Sequence, residues 1–300
     1  MQWAPKCVNR QMMQAPAAMV ICTALVCAAL AMSPAFLQAQ TQAQAGHERE
    51  AAQLVRQMVN NELRVAVEDQ THWAYLSNTL EADRHLTYEK IQTHEGSLKR
   101  LVAVNGERLA PELQQQEDAR IRSFVADERV IVKKLQDERA DAEKAKRMFQ
   151  MFPDAFLYTL EGEEGSVARL SFKPNPDFDP PTREAQVFHA MSGHMWIDRQ
   201  QLRMVRIQGM LTEEVKFGWG LLGHLSPGGT FTVEQKEVAP GHWQIAMMDV
   251  HMRGKLLFFK SLNIQEKEWC SKFERVPDTL TLAEAADRLR QRADTILAAK

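Results

Sequence analysis

The chain is short of cysteine. It has four among 300 residues, and Cys7, Cys22 and Cys27 fall within the first 27; only Cys270 lies beyond. A chain cut after that leading stretch has no internal disulfide and must be held by its core. The nine histidines form no H-E-x-x-H or H-x-x-x-H pattern and have no cysteine partners at ligand spacing, so no metal site and no cofactor are expected. His189 and His194 are five apart, which on one strand would put them on opposite faces. No G-x-S-x-G elbow occurs; Ser226, in "GHLSPGG", reads as a turn residue. Among 39 acidic residues no pair stands out. No residue is assigned as catalytic, and the chain is not expected to be an enzyme. Excess positive charge is lacking too: the formal net charge is −2, which excludes the basic footprint of a nucleic-acid binder. Long apolar runs are missing after residue 32.

Before it, residues 17–32, "AAMVICTALVCAALAM", form one apolar run. Lys6 and Arg10 precede it and are the only charges before His47. Ser33-Pro34 breaks the run, and Ala35, Ala39, Ala43 and Ala45 follow. This order is that of a signal peptide: basic, then apolar, then small residues for cleavage. The run is shorter than the roughly 20 residues of a spanning helix. Residues 1–39 are read as the signal, with cleavage between 39 and 45, and residues 47–300 as a single exported, periplasmic domain, soluble once cleaved. Neither Cys22 nor Cys27 follows a small residue, so no lipid attachment is expected there. Without Lys6 and Arg10 the chain keeps 35 cations against 39 acids.

The rest alternates between two textures. Leu54, Val55, Met58, Val59 and Leu63 recur at three-and-four spacing and predict an amphipathic helix over 45–70. Strand-like segments follow at 72–77, 85–94 and 97–104, the last ending in the hairpin pair Asn105-Gly106. Residues 111–152 are charged and rich in helix formers. They read as a helical insertion of two helices, broken near Ala126-Asp127 and stopped by Pro153. Beyond it come eight strand-like segments, including 185–198 and 255–264, separated by short turns that suit antiparallel meanders. Thr281 and Glu284 have the spacing of a capping box and predict a closing helix.

"FGWGLLG" (217–223) fits G-x-G-x-x-G through Gly218, Gly220 and Gly223, with Glu237 nineteen residues past the first. A dinucleotide site needs a helix immediately after these glycines. Pro227, Gly228 and Gly229 forbid one, and the next segment alternates as a strand. The glycines are therefore expected to serve turns between antiparallel strands.

The late strands carry apolar residues on both faces. In 242–252 one face has Ala246, Met248, Val250 and Met252, and the other has Trp243, Ile245 and Met247. Seven methionines fall between Met191 and Met252. Such a sheet is either covered on both sides or lines an apolar cavity on one. Flexible Met suits a pocket for varied apolar ligands and equally suits an ordinary core. Cys270 reads as an inert, half-buried thiol.

"GHMWIDRQQLRMVRIQGML" (193–211) is a strand ending in Trp-Ile-Asp, a polar turn, and a strand running back. "GTFTVEQKEVAPGHWQIAMMDVHMRGKLLFFKSL" (229–262) continues the meander. With the leading amphipathic helix, this pattern resembles the LolA-like superfamily of periplasmic lipoprotein-sorting and lipid-carrier proteins, over roughly residues 47–275. The resemblance implies an α+β fold: a highly curved antiparallel sheet, a half-open β-barrel, with helices packed against it. It implies an apolar cavity for acyl chains, no cofactor and no covalent chemistry. The implied partner is a lipid or an acylated protein; on related scaffolds it is an envelope membrane protein, which makes a regulatory or interaction protein without lipid cargo the second reading. The candidate lining residues, taken from alternating strand positions, are Trp196, Met204, Met210, Phe231, Met248 and Phe258. The long charged segment 111–152 departs from the pattern, and no residue is assigned to lipoprotein release.

Overall fold

The computed structural model describes residues 34–81, 84–217, 223–256 and 260–292. Contacts divide the chain into two units, 1–46 and 47–300. Of the first unit only the start of a helix is described; every other described element belongs to the second. Residues 1–33, most of the expected signal, lie outside the described residues.

Helix α1 (Pro34–Glu68) buries Ala51, Leu54, Val55, Met58 and Val59 along one stripe. Then come β1 (His72–Glu81), β2 (Arg84–Thr93), β3 (Gly96–Val104) and β4 (Glu107–Arg108). Asn105 and Gly106 join the last two, both at positive φ (52° and 80°), as a primed hairpin turn requires. Helices α2 (Pro111–Ala126) and α3 (Glu128–Gln150) meet at Asp127. Its extended backbone ends the first helix, and its carboxylate accepts from the amides of Arg129 and Val130 to start the second. A single turn, α4 (Phe152–Ala155), leads into β5 (Phe156–Glu164) and β6 (Val167–Pro174). After a 3₁₀ turn (Glu184–Ala190) come β7 (Met191–Asp198), β8 (Arg203–Leu211), β9 (Val215–Phe217), β10 (Gly223–Leu225), β11 (Thr230–Ala239), β12 (His242–Leu256) and β13 (Lys260–Val276). Helix α5 (Leu282–Arg292) closes the fold. Its capping box is made: Glu284 accepts from the Thr281 amide (2.9 Å), and the Thr281 hydroxyl accepts from the Glu284 amide (3.2 Å).

The thirteen strands form one antiparallel sheet in the order β4-β3-β2-β1-β13-β12-β11-β8-β7-β6-β5, with β9 and β10 attached beside β12. The end strands do not pair with each other, so the sheet is open and not closed into a barrel. Directly opposed residues share a face. One such row runs Leu160, Leu170, Met195, Ile207, Val233, Met248, Glu268, Thr79. At its β5–β8 end this face is sealed by α1, which packs on Leu170, Met195, Ile197 and Ile207. The opposite face carries the second core at the other end. There Ala74, Ile91 and Leu98 are direct partners, covered by Ile121 of α2 and by Leu282, Ala285 and Leu289 of α5. The helices thus cover opposite faces at the two ends.

Two strand expectations change. Residues 185–198 are not one strand: 184–190 form the 3₁₀ turn, whose three-residue repeat buries Ala185 and Phe188 together. His189 therefore lies in that turn and not on a strand with His194. Residues 255–264 belong to two strands, because Leu256 pairs with Lys260. β13 then runs on through 265–276, which the sequence pattern did not mark as strand. Gly223 opens β10, antiparallel to β9. No helix comes after it; Gly218 and Gly220 lie outside the described residues.

Candidate functional site

The sheet face on which α1 packs continues across β12, β13, β1 and β2. A hollow of about 240 Å³ opens there, lined by Tyr75, Lys90, Gln92, Gln244, Ile245, Met248, Glu268, Cys270 and Phe273. Tyr75 stacks on Phe273 at 5.1 Å, making an aromatic wall. Ile245, 52% exposed, and half-buried Met248 supply aliphatic surface. The polar floor is built around one carboxylate: Ser77 and Lys90 both donate to Oε1 of Glu268 at 2.5 Å. Burial raises the Glu268 carboxyl, but these bonds outweigh it and hold it below its ordinary range. The ammonium of Lys90 has three donors and spends one here. A second hollow, of about 450 Å³, shares Tyr75 and Lys90 with the first and adds Phe124, Leu98, Lys99, Arg120, Lys134 and Glu138.

Burial keeps the thiol and the phenol of this site protonated. Burial, then the neighbouring Glu268, pushes the Cys270 thiol up to about 12, so it stays a thiol. Burial likewise raises the Tyr75 phenol. The arrangement offers apolar walls beside a fixed ion pair. Among the described residues, no three of His, Cys, Asp and Glu gather at a metal-binding distance.

The six residues chosen from the sequence do not share one surface. Met204 is 8% exposed in the core under α1, and its amide donates to Glu62 of that helix. Half-buried Phe231 packs on the same core, its ring over Gly209, where a Cβ would lie 2.8 Å away. Met248 lines the 240 Å³ hollow. Trp196 and Met210 lie on the other face. Trp196 sits between the guanidinium groups of Arg169 (5.6 Å) and Arg206 (5.2 Å), and Met210 is 48% exposed. Phe258 lies outside the described residues. The sequence reading missed Tyr75, Lys90, Glu268 and Phe273. Alternation through 266–270 would have placed Glu266, Glu268 and Cys270 on one face, had that stretch been read as a strand.

No family model and no curated protein matches the chain. A solved structure, a DUF1329 family protein from Desulfovibrio piger ATCC 29098, is similar over 73% of this chain and 92% of that one, at 11% identity and a TM-score of 0.23. A likeness that slight bears on neither fold nor function. Among the described residues, no helix is long and apolar enough to cross a membrane.

Proposed function

We propose that the chain is an exported binding protein that carries an apolar or amphiphilic ligand, such as a lipid or the acyl chain of a lipoprotein, and performs no covalent chemistry on it. The observation that carries this reading is the hollow on this sheet face, where Tyr75, Phe273, Ile245 and Met248 surround the Lys90–Glu268 pair. Apolar walls with a few fixed polar groups suit a chain-bearing ligand with a polar end. The LolA-like resemblance of the sequence agrees with it. Two measurements test the reading. Native mass spectrometry of protein taken from its own periplasm should find bound lipid. A fluorescent fatty acid should bind the parent and bind Met248→Ala several-fold more weakly, while the variant melts within about 1 kcal/mol of the parent, because a side chain lining an open hollow leaves no closed cavity. No binding by the parent, together with a loss of about 2–5 kcal/mol in Met248→Ala, would make the hollow ordinary core and end the carrier reading. Export predicts a mature N-terminus between Gln40 and Gly46, read by N-terminal sequencing; retention of Met1 in a membrane fraction would replace it with an anchored protein.

A further inference from the structure

β13 is longer than the strand beside it. β1 pairs with it only from Lys267 to Val276. Among the described residues, 260–266 are therefore hydrogen-bonded to β12 alone, and their other backbone edge is free. Free edges invite pairing with another chain, and proteins blunt them with charge, bulges or brevity. Other edges of this sheet are blunted or met by side chains: on β3, Lys134 donates to the Ser97 carbonyl, Arg120 donates to the Lys99 carbonyl, and Glu117 accepts from the Leu101 amide. β4 has two residues, Glu107 and Arg108, both charged. β5 breaks register between Leu160 and Gly162 and carries Glu161, Glu163 and Glu164. β9 has three residues centred on Lys216. The β13 edge has none of these devices: its pairing with β12 is unbroken, and Ser261-Leu262-Asn263-Ile264-Gln265 is uncharged.

We propose that this edge is the interface through which two copies of the chain pair, β13 against β13, antiparallel about a two-fold axis at Asn263. Two-fold pairing of one strand must be self-complementary, and this segment is. About Asn263, Leu262 stands opposite Ile264, Ser261 opposite Gln265, and Lys260 opposite Glu266. Leu262 and Ile264 share a face in each copy, so four aliphatic residues meet on one side of the joined sheet. Ile264, 37% exposed in the single chain, would be covered. A shift of one residue sets Lys260 against Lys267, and a shift of the axis to Ile264 sets Leu262 against Glu266. Both lose the match.

The test needs no ligand, so its outcome is independent of the carrier reading. Sedimentation of the purified chain should show a dimer. Asn263→Cys should form a disulfide-linked dimer on mild oxidation, since directly opposed antiparallel residues lie about 4.5–5.5 Å apart at Cα, within disulfide reach. Gln265→Cys should not, because two copies of that position are offset by about 13 Å along the strands. Leu262→Lys with Ile264→Lys places like charges opposite each other and should give a monomer. Leu262→Lys with Ile264→Glu restores opposite charges and should return the dimer, which also excludes misfolding as the cause of the first result. A parent that stays monomeric at high micromolar concentration, a Lys/Lys variant that remains dimeric, or equal cross-linking at 263 and 265 would overturn the proposal.

Discussion

Glu89 is a carboxyl group buried to 1% exposure. It sits on the face covered by α2 and α5. Nε of Arg292, at the end of α5, lies 2.9 Å from Oε1, yet neither carboxylate oxygen accepts a hydrogen bond of good geometry. Burial pushes its carboxyl up to about 7, against the pull of Arg292 and Arg100 and with a further push from Glu274. A folded value above the unfolded one means the folded state holds this proton more tightly. Its stabilising contribution is therefore complete below about pH 4.5 and is lost as pH rises through about 7. A gap of that size corresponds to about 3 kcal/mol by pH 8. Glu89→Gln keeps the shape and removes the charge. Arg292 keeps Glu274 at 2.8 Å and remains partly solvated, so the variant does not strand a buried cation. Urea unfolding at steps from pH 4.5 to 8 should show the parent losing stability relative to Glu89→Gln, with the variant ahead by about 2–3 kcal/mol at pH 8 and near equality at pH 4.5. Parallel profiles, or a variant weaker at pH 8, would mean that Arg292 and Arg100 outweigh burial and that the carboxylate is net stabilising.

Three other outcomes are set by packing. Met195, fully buried under α1, should cost about 2–5 kcal/mol when cut to alanine, whereas Met210→Ala on the opposite face should stay within about 0.5 kcal/mol; denaturant melts of both compare the faces directly. Glu62→Ala strips a half-buried acceptor from Arg203 (3.1 Å) and from the Met204 amide (2.9 Å), leaves Arg203, 7% exposed, without a carboxylate and with Gln235 (3.3 Å) as its remaining acceptor, and should cost about 3–5 kcal/mol in the same assay. Gly209→Ala would drive a methyl into the Phe231 ring and the Ser192 carbonyl, both 2.8 Å from the ideal Cβ, and should lower the melting temperature; an unchanged midpoint would show that Phe231 has room to move.

Features under local chemical control were legible in the residues alone. Asn105-Gly106 dictates a turn because both residues tolerate positive φ, Asp127 separates two helices by capping the second, and Thr281 with Glu284 starts the last one. Alternation over 242–252 and the apolar stripe on α1 likewise set element type and the antiparallel, α+β character of the fold. The 3₁₀ turn at 184–190 escaped because Ala185, Phe188 and Ala190 face a core made by distant residues. Phe188 packs on the rings of Phe152 and Phe156, which no strand or α-helix period in the segment announces. The site escaped for a larger reason of the same kind. Ser77, Lys90 and Glu268 meet only because β1 pairs with β13 across nearly two hundred residues, a partnership that no neighbouring residue signals. Met204 becomes core and Met248 lines a hollow, although both are methionines on strands, because Met204 joins the cluster built on α1 while the lining around Met248 comes from β1, β2, β12 and β13.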